Sequence, residues 1–167
     1  MKKISIIVTI IILITCSLQV SATEDFSIQQ VAPAYGIRST QNNIAIGQNN
    51  YMELASVDNL ISQALVYIYL ESNQTLRIVA NTACTETVDT VGFKDITIQR
   101  WVNGTWSNVS TWSIYHNNTA NYLYDYETAV AGGYNYRVTL THYAKKGWWI
   151  FADTQEIYNE TSYIWIE

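Results

Sequence analysis

The sequence predicts an all-β protein: an antiparallel β-sandwich of seven to eight strands, immunoglobulin-like in rhythm. Three observations lead there. From residue 66 onward apolar and polar residues alternate with period two, as strands half-buried in a sheet require. Turn-forming residues punctuate the alternation at Asn103-Gly104, Asn117-Asn118, Gly132-Gly133, Lys146-Gly147 and Asn159. The chain also holds 6 Trp, 13 Tyr and 3 Phe, ring surface enough to fill a core without disulfides.

Residues 1–22 read as a secretory signal. Lys2 and Lys3 supply the basic start, Ile4 to Ile14 is apolar apart from Ser5 and Thr9, and Val20-Ser21-Ala22 places small residues for cleavage after Ala22. The expected localisation is secreted and extracellular. Thr15, Ser17, Gln19 and Ser21 make the run a poor membrane span. Leu13-Ile14-Thr15-Cys16 is also readable as a lipoprotein box with Cys16 lipidated, although threonine is unusual before such a cysteine.

Cleavage leaves 145 of the 167 residues, one domain's worth, and takes the net charge from −5 to −7. That acidic balance argues against a nucleic-acid partner and against a membrane partner beyond the signal. Cys84 is the one cysteine that remains, so no internal disulfide forms, and its apolar surroundings read as a small buried hydrophobe.

Residues 23–64 form a polar N-terminal segment rich in Gln and Asn, expected to be partly disordered. A short strand is expected over 43–46, and a short helix over 54–65 capped by Asp58 or Asn59. Residues 65–167 form the sandwich. Its strands are VYIYL (66–70), LRIVANTAC (76–84), DITIQRWV (95–102), TWSNVSTWSIY (105–115), YLYDYETAV (122–130), YNYRVTLTHY (134–143), WWIFADTQEI (148–157) and SYIWIE (162–167).

Asn103-Gly104 is the strongest local signal, because both residues tolerate the positive φ of a two-residue type I′ turn. That turn pairs Val102 with Thr105, Trp101 with Trp106 and Ile98 with Val109. One face then carries Ile96, Ile98 and Val109. The other carries Trp101, Trp106 and Trp112 with Gln99 and Asn108 between them. Rings interleaved with amides suit a ligand-binding sheet face, so these five residues are the candidate site. The same rings also suit a core, which small sandwiches fill with Trp and Tyr. Tyr122, Tyr124 and Tyr126 form a second aromatic row on one face of their strand.

The order ITIQRW–NG–TW–V–W (Ile96 to Trp112), followed by GGYNYRV…H (Gly132 to His142), resembles small secreted proteins of Gram-positive bacteria that form a domain-of-unknown-function family. LRIVANTAC followed by VDTVGFKDI fits the same pattern of strand, turn and strand, so the resemblance spans residues 75 to 167. The rhythm is also similar to that of fibronectin type III modules. The resemblance implies export and a β-sandwich, and it brings no catalytic residues with it.

No chemistry stands out. His116 and His142 lie in no zinc-ligand frame, and no Gly-x-Ser-x-Gly elbow or acidic calcium loop occurs. Cys84 with His142 lacks a third member. Gly132-Gly133 precedes a strand and so cannot act as a phosphate loop. The acid pairs Asp125/Glu127 and Asp153/Glu156 read as solubilising surface charge before they read as a glycosidase pair. In residues 132–149, Tyr134, Tyr136, Val138, Leu140 and His142 line one strand face, and Arg137 points the other way. No catalytic residue, metal or cofactor is expected, and the chain is not read as an enzyme. The expected function is a secreted, non-catalytic binding module for a cell-surface polysaccharide or protein. The alternatives are a self-associating structural protein pairing through an open sheet edge, or a small antagonist of other bacteria.

Overall fold

A computed structural model describes residues 36–41, 43–49, 51–52, 59–72 and 74–167. The signal segment with Cys16, the polar segment to residue 35 and the beginning of the expected helix (54–58) lie outside the described residues. The protein is all-β and antiparallel, as expected. Its strands are β1 (Ile44–Ile46), β2 (Tyr51–Met52), β3 (Ile61–Ser72), β4 (Thr75–Val102), β5 (Thr105–Ala129), β6 (Tyr134–Lys146), β7 (Asp153–Glu160) and β8 (Ile164–Ile166). The short strand expected over 43–46 is β1. The helix expected over 54–65 is overturned where it is described: from Ile61 the chain is strand, because Ile61 and Ala64 are buried and pair along β4.

One continuous sheet runs in the order β1-β3-β4-β6-β7, with β2 on β3, β5 on β4 and β8 on β6. Two strands are far longer than the sequence pattern predicts. β4 joins the expected strands 76–84 and 95–102, and β5 joins 105–115 with 122–130. The expected turn in VDTVGFKDI is instead strand, since Val88, Val91 and Phe93 are all buried. The Asn117-Asn118 signal marks a bend and no chain reversal. Asn118 takes a φ of 55°, and opposite it residues 84–87 of β4 bulge against the single residue Ala120. Both long strands turn there together.

That shared bend folds the sheet over itself. The first half holds β1, β3 and the beginning of β4 with the end of β5. The second holds the end of β4 with the beginning of β5, β6, β7 and β8. Between them lies one core, to which Val66, Ile68, Leu76 and Ile78 come from the first half and Phe93, Ile96, Ile98, Tyr136, Val138, Leu140 and Ile166 from the second. The period-two pattern puts these residues inward, and β-branched side chains suit the pleated surface.

The two open sides differ. On one, Gly47 N donates to Val66 O at 2.8 Å, while Ser162 N donates to Ile46 O at 2.9 Å and Gln48 N to Glu160 O at 2.7 Å. Backbone bonds thus tie β3 through residues 46–48 to the β7–β8 connection. On the other side β5 pairs, among the described residues, with β4 alone. Rings close that side: Trp112 on the first arm of β5 donates from Nε1 to the Tyr124 hydroxyl on the second arm at 3.0 Å and packs 5.3 Å from Tyr126.

Candidate functional site

The hairpin at Asn103-Gly104 forms as expected. Asn103 and Gly104 take φ of 52° and 79°, and Val102 faces Thr105, Trp101 faces Trp106 and Gln99 faces Asn108. The register then slips. Ile98 pairs with Ser110 and leaves Val109 as a bulge, 46% exposed. One extra residue reverses the alternation of β5, so Trp112 pairs with Ile96 on the core side. The expected face is corrected accordingly. Trp101, Trp106, Gln99 and Asn108 share one surface, and Trp112 stands on the other.

The four that remain together are tightly engaged with one another and with β6 and β7. Trp101 is 6% exposed and meets Trp106 edge to face at 5.3 Å. The Arg137 guanidinium lies 4.4 Å above the Trp106 ring, and its Nε donates to Gln99 Oε1 at 2.8 Å. Gln99 Nε2 donates in turn to Asn108 Oδ1 at 2.9 Å. The other end of Arg137 is bound by Glu160, Nη1 to Oε1 at 2.5 Å, with Gln48 and Tyr158 also donating to that carboxylate at 3.3 Å. Tyr163 covers Trp106 from the far side at 5.8 Å. The amides and the cation therefore spend their hydrogen bonds inside the protein, and the arrangement reads as a polar–aromatic lattice stiffening the outer face of the second half-sheet.

The second aromatic row is also structural. Tyr124 is buried and Tyr122 half-buried, both against Phe93, while Tyr126 stacks on Tyr124 at 5.9 Å. The acids have partners too. Asp125 receives Arg77 Nε and Nη2 at 2.8 and 2.6 Å, which holds its carboxyl below the usual range, and Glu71 binds the same guanidinium at 2.9 Å. Glu156 binds Lys94 at 2.8 Å, and Asp153 borders an open concavity of about 670 Å³ with Glu86, Asp89 and Lys146. His142 hydrogen-bonds Thr82, and Cys84 sits in a separate apolar cluster with Ile61, Val88 and Val91. Among the described residues no three His, Cys, Asp or Glu side chains converge on a point where a metal ion fits.

The most exposed rings lie elsewhere. The sequence pattern places residues 148–151 at the beginning of a strand. The strand begins at Asp153, and Trp149–Phe151 form a single 3₁₀ turn at the tip of the β6–β7 hairpin. Trp148, Trp149, Ile150 and Phe151 are 86, 78, 74 and 83% exposed. Gly147 N donates to Asp89 Oδ2 at 2.7 Å, and the Lys146 ammonium pairs with Glu86, so the base of the turn is pinned to β4. Trp149 holds a φ of 54°, strained for a bulky side chain. The sequence carried one signal for this: WWIF has no polar residue in alternate positions, which a half-buried edge strand needs.

No known protein family matches the chain, and neither a curated protein nor a solved structure does.

Proposed function

We propose that this protein is an exported, non-catalytic binding module whose contact surface is the aromatic tip of the β6–β7 hairpin. One observation carries the reading: four consecutive large apolar side chains stand 74–86% exposed on a turn anchored at its base. Isolated apolar residues on a surface are ordinary, whereas a contiguous apolar projection marks a contact site. Export is supported by the signal pattern of residues 1–22 and by the likeness of Ile96–Trp112 and Gly132–His142 to small secreted proteins of Gram-positive bacteria. A non-catalytic role is supported by one acid of each candidate pair being held in an ion pair, Asp125 with Arg77 and Glu156 with Lys94. The test compares the chain with a variant carrying serine at all four tip positions for binding to intact cells, wall fractions and polysaccharides. Equal binding by the two would reject the reading.

A second reading is favoured by β5. It is 25 residues long and, among the described residues, pairs on one side only, a shape open to strand addition by another copy. Sedimentation across a hundredfold range of concentration decides it, a constant monomer mass being the adverse result.

A further inference from the structure

We infer that the partner of the Trp148–Phe151 tip is the interfacial layer of a lipid bilayer, a proposal that rests on the binding-module reading and identifies what is bound. It departs from the expectation of no membrane contact beyond the signal, which followed from net charge. The tip works through apolar surface, and charge has little part in it.

Four features distinguish a bilayer from the other partners. From Trp148 to Ala152 no side chain carries a hydroxyl, amide or charge. A sugar-binding platform needs such groups beside its rings to meet the hydroxyls of the ligand. The side chains splay outward, none of the turn's residues being buried, and a convex tip of this kind suits a fluid medium that closes around it. Backbone polar groups entering lipid must be satisfied internally. Here two of the turn's N–H groups are met in that way, Phe151 N donating to Trp148 O at 3.2 Å and Ala152 N to Trp149 O at 3.3 Å. Indole rings favour the headgroup level, where the ring is apolar-solvated and the N–H stays wet, with Ile150 and Phe151 suited to the acyl boundary.

The rim specifies the lipid further. Lys146 stands beside Glu86, Asp89 and Asp153 and is already paired with Glu86, while Lys145 lies on the other side with Trp148 and Trp149. Three acids against two lysines leave the rim with an acidic excess, which disfavours anionic headgroups and leaves zwitterionic ones.

The experiment uses the full chain with phosphatidylcholine vesicles, with and without phosphatidylglycerol, and reads tryptophan emission with brominated acyl chains as quencher. The expected result is a blue shift and quenching of the wild type, absent in Trp148→Ser/Trp149→Ser. Ile150→Ser/Phe151→Ser keeps both indoles and is expected to partition at least tenfold more weakly. Binding is expected to change less than threefold on adding phosphatidylglycerol or raising salt. Only Trp148 and Trp149 of the six tryptophans sit at the tip, so the reading is the difference between the wild type and Trp148→Ser/Trp149→Ser; attachment by the N-terminal apolar run alone gives no such difference, and its absence overturns the proposal. So does equal partitioning of the wild type and the isoleucine–phenylalanine variant. Should the tip variants lose binding to cells or wall polysaccharide while the wild type leaves vesicles alone, the lipid assignment falls and the binding-module reading stands. Unchanged unfolding midpoints of both variants exclude misfolding as the cause.

Discussion

The Thr82 hydroxyl lies 2.8 Å from Nδ1 of His142, and both residues are completely shielded from solvent. The Phe93 ring meets the imidazole edge-on at 5.3 Å, and Nε2 has no hydrogen-bond partner among the described residues. Burial therefore pushes His142 down to about 3, from an ordinary value of 6.5. The unfolded chain takes up its proton first as pH falls. Stability is complete above about 6.5 and declines between there and about 3, by at most about 1.4 kcal/mol per pH unit. Denaturant midpoints measured from pH 7 to 4.5 should show this slope, and His142→Gln should flatten it. Asp125 acts only below the ordinary aspartate range, so parallel slopes in the two proteins would exclude His142 as the source.

Arg137 joins three strands through Gln99 on β4 and Glu160 on β7, and its side chain is only 12% exposed. Arg137→Ala strands the half-buried Glu160 carboxylate and removes the cation from the Trp106 face. The expected loss is about 3 kcal/mol in urea denaturation. Adding Glu160→Gln is expected to recover part of it. A double variant that loses the full sum of both single changes would show that the pair is not coupled.

Two glycines test different parts of the long hairpin. A Cβ on Gly92 would lie 2.2 Å from Ile114 O and 2.7 Å from Tyr115 Cα, so alanine there must part β4 from β5. Its cost is expected to reach about 3 kcal/mol or more. A Cβ on Gly104 meets nothing within 4 Å, and only its φ of 79° penalises alanine, by about 1 kcal/mol. Thermal unfolding of the two variants in the reverse order would contradict the assigned approach of the strands.

Burial raises the Cys84 thiol to about 11. In a Cys16→Ser protein, a disulfide reagent at pH 8 should react about a hundredfold more slowly with the native chain than with the chain in urea. Comparable rates would mean that the cluster around Ile61, Val88 and Val91 opens readily.

Where local pattern decides structure, the sequence was readable. The alternation of Val66, Ile68 and Leu70 against Tyr67 and Tyr69 is strand β3, and those residues pair with Ala80, Ile78 and Leu76. Asn103-Gly104 specifies its own turn and the four residue pairs nearest it, since the required positive φ is a property of those two residues. The inward stripe Tyr136, Val138, Leu140 and His142 is buried, as period two predicts.

The candidate face was legible only as far as Asn108. Beyond it the Val109 bulge moves Trp112 from the outer surface to the core, where it reaches Tyr124 and Tyr126. A single extra residue leaves little trace in composition. It is selected by rings that are distant along the chain and adjacent only after β5 bends. The same holds for Asn117-Asn118: Asn118 takes positive φ as its type allows, but the bulge at 84–87 determines that the chain bends there without reversing.

The sequence by itself determined the class of fold, the strand faces and the hairpin, because alternation and turn chemistry act over a few bonds. Tertiary structure decided which rings are spent inside and which remain outside. Trp101 is covered by Trp106 and Trp112 closes the open edge, while Trp148 and Trp149 are raised on a pinned turn away from every other strand. All five are tryptophans in aromatic surroundings, and residue type alone does not separate them. Exposure is a property of what the rest of the chain brings near, and that is settled only when the sheet folds over its own core.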